Sequence, residues 1–468
     1  MVFSSLTFLC VFLPIVSILY WILPSIRWQN GWLLIASLLF YSYGEPVYVL
    51  LMIGSAFVNY VFALILEGMS GGAKKAVLCL DVVANLVTLG IFKYSGMLAD
   101  SLSGLLHHEI SFGTIALPLG ISFFTFQAMS YVIDVYRGEN KAEKNFFRVL
   151  LYITFFPQLI AGPIIQYHDI AGYLSKRTKD IEQIARGFRR FCFGLAKKVF
   201  ISNAMGLVVD QIYAGDQVNA AIAWVGAIGY MLQIYYDFSG YSDMAIGLGG
   251  MFGFVFPENF NYPYYSSSIK EFWRRWHMSL SNWFKEYLYI PLGGNRKGAI
   301  RTVCNKWIVF FCTGLWHGAN WTFVLWGLYH GFFSMLEQII SVPKNKVFKG
   351  LGHVYACLVV CVGFVIFRAD TLTQAGVMLR NMATGFHTDP QLYGTLMGLL
   401  SPQFICMLIL GLIGAMPVKV ALEKFFARTA TRKKIGEVVS YGLALVLLAL
   451  CLCNLAGNGY NPFIYFRF

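Results

Sequence analysis

Five long windows of this chain contain no Asp, Glu, Lys or Arg: residues 3–26, 110–133, 307–336, 390–418 and 438–466. Each exceeds the roughly 20 apolar residues that an α-helix needs to cross a hydrocarbon core. Backbone amides inside a bilayer find no water, so such windows fold as helices and not as open strands. Shorter apolar windows at 28–44, 46–66, 149–167, 217–236 and 244–257 extend the series. The expected fold is an all-α multi-pass integral membrane protein of roughly ten to twelve helical segments, some re-entrant or tilted. The first window lacks a basic n-region and an A-x-A-like site, so it reads as a first membrane helix and not as a cleaved signal. Composition agrees. With 57% hydrophobic and 13% charged residues and a mean hydropathy of +0.61, too little polar surface is left for a soluble domain.

The net charge is +13, and the basic residues cluster at Lys74 and Lys75 and within 176–179, 186–198, 296–306, 344–349 and 419–434. Read as short connections, these clusters show the cytoplasmic-side excess of Lys and Arg. They equally suit an acidic partner or an anionic donor. No recognition module accompanies the charge, so nucleic acid is not an expected partner. The closest cysteine pairs, Cys357/Cys361 and Cys451/Cys453, lack the C-x-x-C spacing, and no metal site is expected. No repeat or soluble module interrupts the chain, which reads as one membrane domain over 1–468. A polar, aromatic stretch at 258–306 divides it into two hydrophobic halves.

Chemistry is sought in that stretch and in the ionisable residues of the apolar windows. On a helical wheel, residues 270–288 separate into an apolar face with Trp273, Trp276, Leu280, Phe284, Tyr287 and Leu288 and a polar face with Glu271, Arg274, Arg275, Asn282, Lys285 and Glu286. This predicts an amphipathic interfacial helix. His277 falls on the apolar face, where it must be neutral, paired or pointed into a polar cavity. His317, in Gly314-Leu315-Trp316-His317-Gly318-Ala319-Asn320, sits deep in a charge-free window, where an ionisable group marks a functional cavity or a core histidine bonded to another helix. Its flanking glycines predict a helix break or a close backbone approach. His330 reads as structural. Asp237 and Asp243 flank a Ser/Gly segment and suit either a cation or histidine partner or simple helix-end capping.

The G-x-S-x-G elbow, P-loop, H-E-x-x-H and dinucleotide fingerprints are absent. A neutral imidazole can take a proton from an attacking hydroxyl and pass it to a leaving thiolate, so acyl transfer from a thioester needs no metal or bound cofactor. The same residues would suit a proton-coupled transporter or flippase, and composition does not choose.

The motifs do choose. Phe272-Trp273-Arg274-Arg275-Trp276-His277-Met278-Ser279-Leu280-Ser281 and Leu315-Trp316-His317-Gly318 resemble the two hallmark motifs of the membrane-bound O-acyltransferase family. Pro118-Leu119-Gly120-Ile121-Ser122-Phe123-Phe124-Thr125-Phe126-Gln127, Phe156-Pro157-Gln158-Leu159-Ile160-Ala161-Gly162-Pro163 and Asp237-Phe238-Ser239-Gly240-Tyr241-Ser242-Asp243 resemble its bacterial polysaccharide-modifying branch, which O-acetylates alginate and peptidoglycan. The resemblance runs along the whole chain in order. It implies a ring of tilted helices around a central funnel, an acyl thioester donor such as acetyl-CoA or an acylated carrier protein, and a polysaccharide acceptor. It also implies an extracytoplasmic SGNH-type acetyltransferase as partner, in a bacterial cytoplasmic membrane. His317 matches the family's catalytic histidine and His277 its second motif position. Trp273, Trp276, Trp316, Asn320, Gln127, Asp237 and Asp243 are substrate or tunnel candidates. The run Phe463-Ile464-Tyr465-Phe466-Arg467-Phe468 resembles a motif of the small subunit in teichoic-acid D-alanylation, which makes Tyr465 a candidate acyl carrier. A plain aromatic anchor at the membrane interface is the other reading.

Overall fold

The computed structural model describes every residue except 114, 179, 216, 341–345, 388, 458 and 465–468, and the side chains of 346 and 348 are also outside the description. Among the described residues all regular structure is helical, and there is no strand. Five helices among those described residues are long and apolar enough to cross a membrane: Tyr48–Glu67, Gly71–Leu106, Ile181–Ala214, Lys349–Arg368 and Ala430–Gly457. Pro390–Leu399 and Pro402–Gly414, bent by 67°, make a sixth if counted as one span. The chain is a multi-pass helical membrane protein.

Local chemistry breaks several of the apolar windows into shorter helices. In the first window the helical run Phe8–Ile22 stops before Pro24, since the residue preceding proline disfavours helix. At 400–402 the Ser401 hydroxyl accepts the Phe404 N–H at 3.2 Å and Pro402 occupies the first helical position. That cap starts a new helix in place of continuing the old one.

By its contacts the chain divides into two compact units. The first comprises Met1–Phe191 and Met244–Pro257. Within it, Tyr48–Glu67 and Gly71–Leu106 pack together with Ile121–Arg137. Asn59 and Asn85 exchange amide hydrogen bonds of 3.1 and 3.0 Å between the first two helices, a polar link of the kind that joins helices in apolar surroundings. Phe8, Phe12, Phe40 and Phe156 form an aromatic cluster in the same unit.

The second unit comprises Cys192–Asp243 and Glu258–Phe468. Its centre is a hairpin of Ala299–His317 against Trp321–Ile339. Gly314 and Gly327 let these helices touch: a Cβ on Gly314 would lie 2.5 Å from the Phe323 carbonyl oxygen, and one on Gly327 2.3 Å from that of Phe310. The long helix Ala220–Met251 runs unbroken through Asp237–Asp243. There is no Ser/Gly break there, so neither carboxylate caps a helix end. Both point to lysines of the π-helical turn Lys197–Ser202: Lys197 pairs with Asp243 at 2.6 Å and Lys198 with Asp237 at 2.8 Å. A Cβ on Gly240 would lie 2.8 Å from the Gly194 carbonyl oxygen, so the two backbones run close here.

Candidate active site

His317 is the last residue of Ala299–His317, and the chain turns extended at Gly318. Asn320 opens the next helix, its side chain accepting the Thr322 N–H at 3.0 Å. A Cβ on Gly318 would lie 2.3 Å from the Phe323 ring, so glycine there lets the turn fold onto Phe323. The break and the close approach expected around His317 are therefore both present. The His317 ring is 6% exposed. It meets Trp316 and Trp326 at 5.0 Å and Phe367 at 5.2 Å between centroids, all edge-on. Beside it lies a small apolar cavity with room for about one water molecule, walled by Phe238, Trp276, Trp326, Phe367 and Ile464 among others. His317 is the one ionisable side chain among the described residues of that wall.

The predicted amphipathic helix over 270–288 is not continuous. Ile269–Trp273 ends, a turn follows, and Met278–Phe284 begins. The break is at His277, whose backbone is left-handed with φ 43° and ψ 56°. That conformation costs an L-residue about 1–2 kcal/mol, so neighbouring contacts must over-determine it. The segment around Asn259 does so. Met278 N–H donates to the Asn259 carbonyl at 3.0 Å and Asn261 N–H to the Arg275 carbonyl at 2.9 Å. The Asn259 side-chain oxygen lies 3.1 Å from His277 Nδ1 and accepts from Ser279 N–H and Oγ–H at 3.2 and 2.9 Å. His277 is fully buried, its ring centroid 6.5 Å from that of His317, with Trp316 against both. The break turns His277 off a helix surface and towards the hairpin.

The other expected residues separate. Trp276 walls the cavity. Trp316 packs on both histidines. Trp273 lies a step further out, against Trp326, Phe310 and His330. His330 is buried and reaches the site indirectly, through Trp326, which meets both it and His317, and through Phe272, which stacks on it and on Trp276. Asn320 caps a helix and donates to the Asp370 carbonyl at 2.9 Å. Asp237 accepts the Ile464 N–H at 2.7 Å, while Asp243 is held by Lys197. Gln127 is buried in the first unit, on Ile121–Arg137. Tyr465 lies outside the described residues.

Three contributors were not singled out from the sequence, although Ile464 lies in the run 463–468 quoted above. Asn259 is 18 positions from His277 and lies outside the amphipathic stretch 270–288, so no local pattern joined the two. Lys198 belongs to a basic cluster read as a connection, yet it lies in a helical turn with its side chain 3% exposed. Ile464 is one more apolar residue in an apolar window.

Comparison with known proteins agrees with this geometry. The profile of the membrane-bound O-acyltransferase family matches residues 139–369, which include both histidines. The chain is 38% identical to a protein of Pseudomonas putida named probable alginate O-acetylase, over the full length of both. It is 34% identical to the peptidoglycan O-acetyltransferase of Helicobacter pylori, over 82% of this chain and 80% of that one. The teichoic acid D-alanyltransferase of Bacillus subtilis is 31% identical over 56% of this chain and 69% of its own. Motifs, helical fold, buried histidine pair and full-length similarity converge: the chain belongs to the membrane-bound O-acyltransferase family and is an O-acyltransferase.

Proposed function

We propose that this enzyme takes an acetyl group from acetyl-CoA at the cytoplasmic face of a bacterial inner membrane and passes it towards an extracytoplasmic polysaccharide. Relatives named for alginate and peptidoglycan O-acetylation, similar over most of the chain, support the acetyl group and the polysaccharide acceptor. An extracytoplasmic SGNH-type transferase is the partner that would finish the transfer. Family membership weighs for transfer and against the transporter reading, and a buried His317 beside a small apolar cavity supports its use as the base.

One observation carries the mechanism: His317 and Ile464, the residue before Tyr465, wall the same apolar cavity. In the proposed step the Tyr465 hydroxyl attacks the thioester carbonyl while His317 takes its proton. The tetrahedral intermediate collapses, the C–S bond breaks, and the thiolate leaves with the proton from His317. The product is an aryl acetate on Tyr465 and a free thiol. An aryl ester is activated towards a second hydroxyl, whose attack returns the phenol. His277 assists through its tautomer: with Nδ1–H donated to Asn259, its Nε2 is left as an acceptor.

The test is mass spectrometry after incubation with isotopically labelled acetyl-CoA. Label on the peptide containing Tyr465 in the wild type, absent in His317→Ala, supports donor, carrier and base together. Label undiminished in His317→Ala removes the base. Label obtained only from an acylated carrier protein replaces the donor and brings the enzyme nearer to its D-alanyl-transferring relatives.

A further inference from the structure

Residues 460–464 are held by several polar side chains, most of them buried. The Tyr460 hydroxyl donates to Asp210 at 2.7 Å, and Asp210 is fixed by Arg368 at 2.7 Å. The Asn203 amide donates to the Tyr460 carbonyl and to the Asn461 side chain at 3.4 and 3.3 Å. Lys198 Nζ donates to the Pro462 carbonyl and, at 2.9 Å, to the Asn203 side-chain oxygen. The Phe463 ring stacks on Tyr241 at 4.7 Å. Ile464 N–H donates to Asp237, whose other oxygen pairs with Lys198.

Lys198 and Asp237 are the centre of this arrangement, and their side chains are 3% and 2% exposed. Burying an ion pair is expensive and gains little stability over well-packed apolar side chains. Ionisable groups buried inside a membrane protein are accordingly functional by default. Neither residue walls the cavity. What they do is geometric: Asp237 sits on Ala220–Met251 beside Phe238, which walls the cavity, and its second oxygen fixes the backbone of Ile464, which also walls it. Lys198 holds the Pro462 carbonyl, two residues earlier. The π-helical turn Lys197–Ser202 turns successive lysines onto the two aspartates of the facing helix, and π-turns of this kind recur at functional sites.

We infer that Lys198, Asp237 and Asn203 form a latch that positions residues 460–464 against the His317 cavity, and that all three are positioning residues for acyl transfer. The inference deepens the proposed function and rests on His317 being the reacting base. It does not need Tyr465 to carry the acyl group, because the latch also places Ile464 in the cavity wall.

The test pairs hydrogen exchange with kinetics on the full-length protein in nanodiscs. In the wild type the peptide covering 460–468 should retain a slowly exchanging amide at Ile464. Asp237→Ala should speed that exchange at least tenfold and lower kcat for acyl transfer about 100-fold, the scale expected when a reacting segment is misplaced by about 1 Å. KM for the thioester should stay within about twofold. Asp237→Asn keeps an acceptor for the Ile464 N–H, so it should restore much of the protection and part of kcat, which a merely misfolded protein would not do. Unchanged exchange in Asp237→Ala overturns the latch. Faster exchange with unchanged kcat overturns its role in the reaction. His317→Ala should stay protected but inactive, which separates loss of the base from loss of the latch. If Tyr465→Phe remains active while Asp237→Ala does not, the carrier reading fails and the latch stands as a cavity wall.

Discussion

Asn259 Oδ1 lies 3.1 Å from His277 Nδ1 and so decides which ring nitrogen carries the proton. The same oxygen accepts two bonds from Ser279, and the Asn259 amide nitrogen donates to Ser242 Oγ at 3.0 Å. These bonds fix the amide orientation, since only its oxygen can accept from Ser279 N–H. The imidazole must then donate from Nδ1 and keep a lone pair on Nε2.

Asn259→Ala removes the acceptor and frees the tautomer. Losing a partner that orients a functional imidazole typically costs 10- to 100-fold where it has been measured, and a fall of roughly that size in acyl-transfer rate is expected here. Ser279 also loses the bonds its N–H and hydroxyl make to Asn259, each worth about 0.5–1.5 kcal/mol. Steady-state rates together with thermal unfolding in detergent check both parts. A variant with wild-type rate would show that the tautomer of His277 does not matter.

His277 combines a backbone requirement with a side-chain requirement, and two substitutions separate them. His277→Gly accepts φ 43° without strain. His277→Ala keeps the Cβ and with it the left-handed penalty of about 1–2 kcal/mol. Both lose the imidazole, so both should lose the same activity, while the glycine variant unfolds at the higher temperature. Equal unfolding temperatures would mean that the backbone there relaxes freely. Full activity in either would remove His277 from the chemistry.

These two residues also show what could be read in advance. Membrane residence and helical class follow from charge-free windows, because the cost of burying charge and unpaired amides leaves few alternatives. The His317 turn was legible for a related reason: two glycines beside an ionisable residue in an apolar window leave a break or a close approach. The stretch around His277 was not. Its apolar positions repeat with helical period, yet bonds from Asn259 and Asn261, distant in sequence, outweigh that periodicity and break the helix. Periodicity records which face is buried and says nothing of long-range hydrogen bonds. Lys198 was misread similarly, because a lysine in a basic run looks solvated until its partner, Asp237, is found on another helix.

The hairpin carrying His317 depends on backbone contact, which gives a stability prediction independent of chemistry. A methyl group on Gly314 or Gly327 would fall 2.5 or 2.3 Å from a facing carbonyl oxygen. The helices must separate to admit it, and overpacking of this kind costs about 1–3 kcal/mol. Gly314→Ala and Gly327→Ala should each lower the unfolding temperature and widen the site enough to reduce activity. Gly54→Ala, on Tyr48–Glu67 with open space around the added methyl, is the matched control. Equal stability in all three variants would place the hairpin contact outside the energetics of the fold.

The last prediction concerns the energetics of the Lys198–Asp237 pair. Removing one partner leaves the other charge buried in a protein interior, which costs about 3–5 kcal/mol. Lys198→Met should therefore be strongly destabilised. Replacing both partners removes the stranded charge, and well-packed apolar pairs are often as stable as the ion pair they replace. Lys198→Met/Asp237→Leu should regain most of the loss, less about 1–3 kcal/mol for the Ile464 N–H and Pro462 carbonyl left unpaired. Neither variant should recover activity, since the segment at the cavity is no longer held. Equilibrium unfolding of the wild type, both single variants and the double variant measures the coupling. A double variant whose loss equals the sum of the two single losses would mean that the charges do not interact. One that recovers both stability and rate would make the pair dispensable to the reaction.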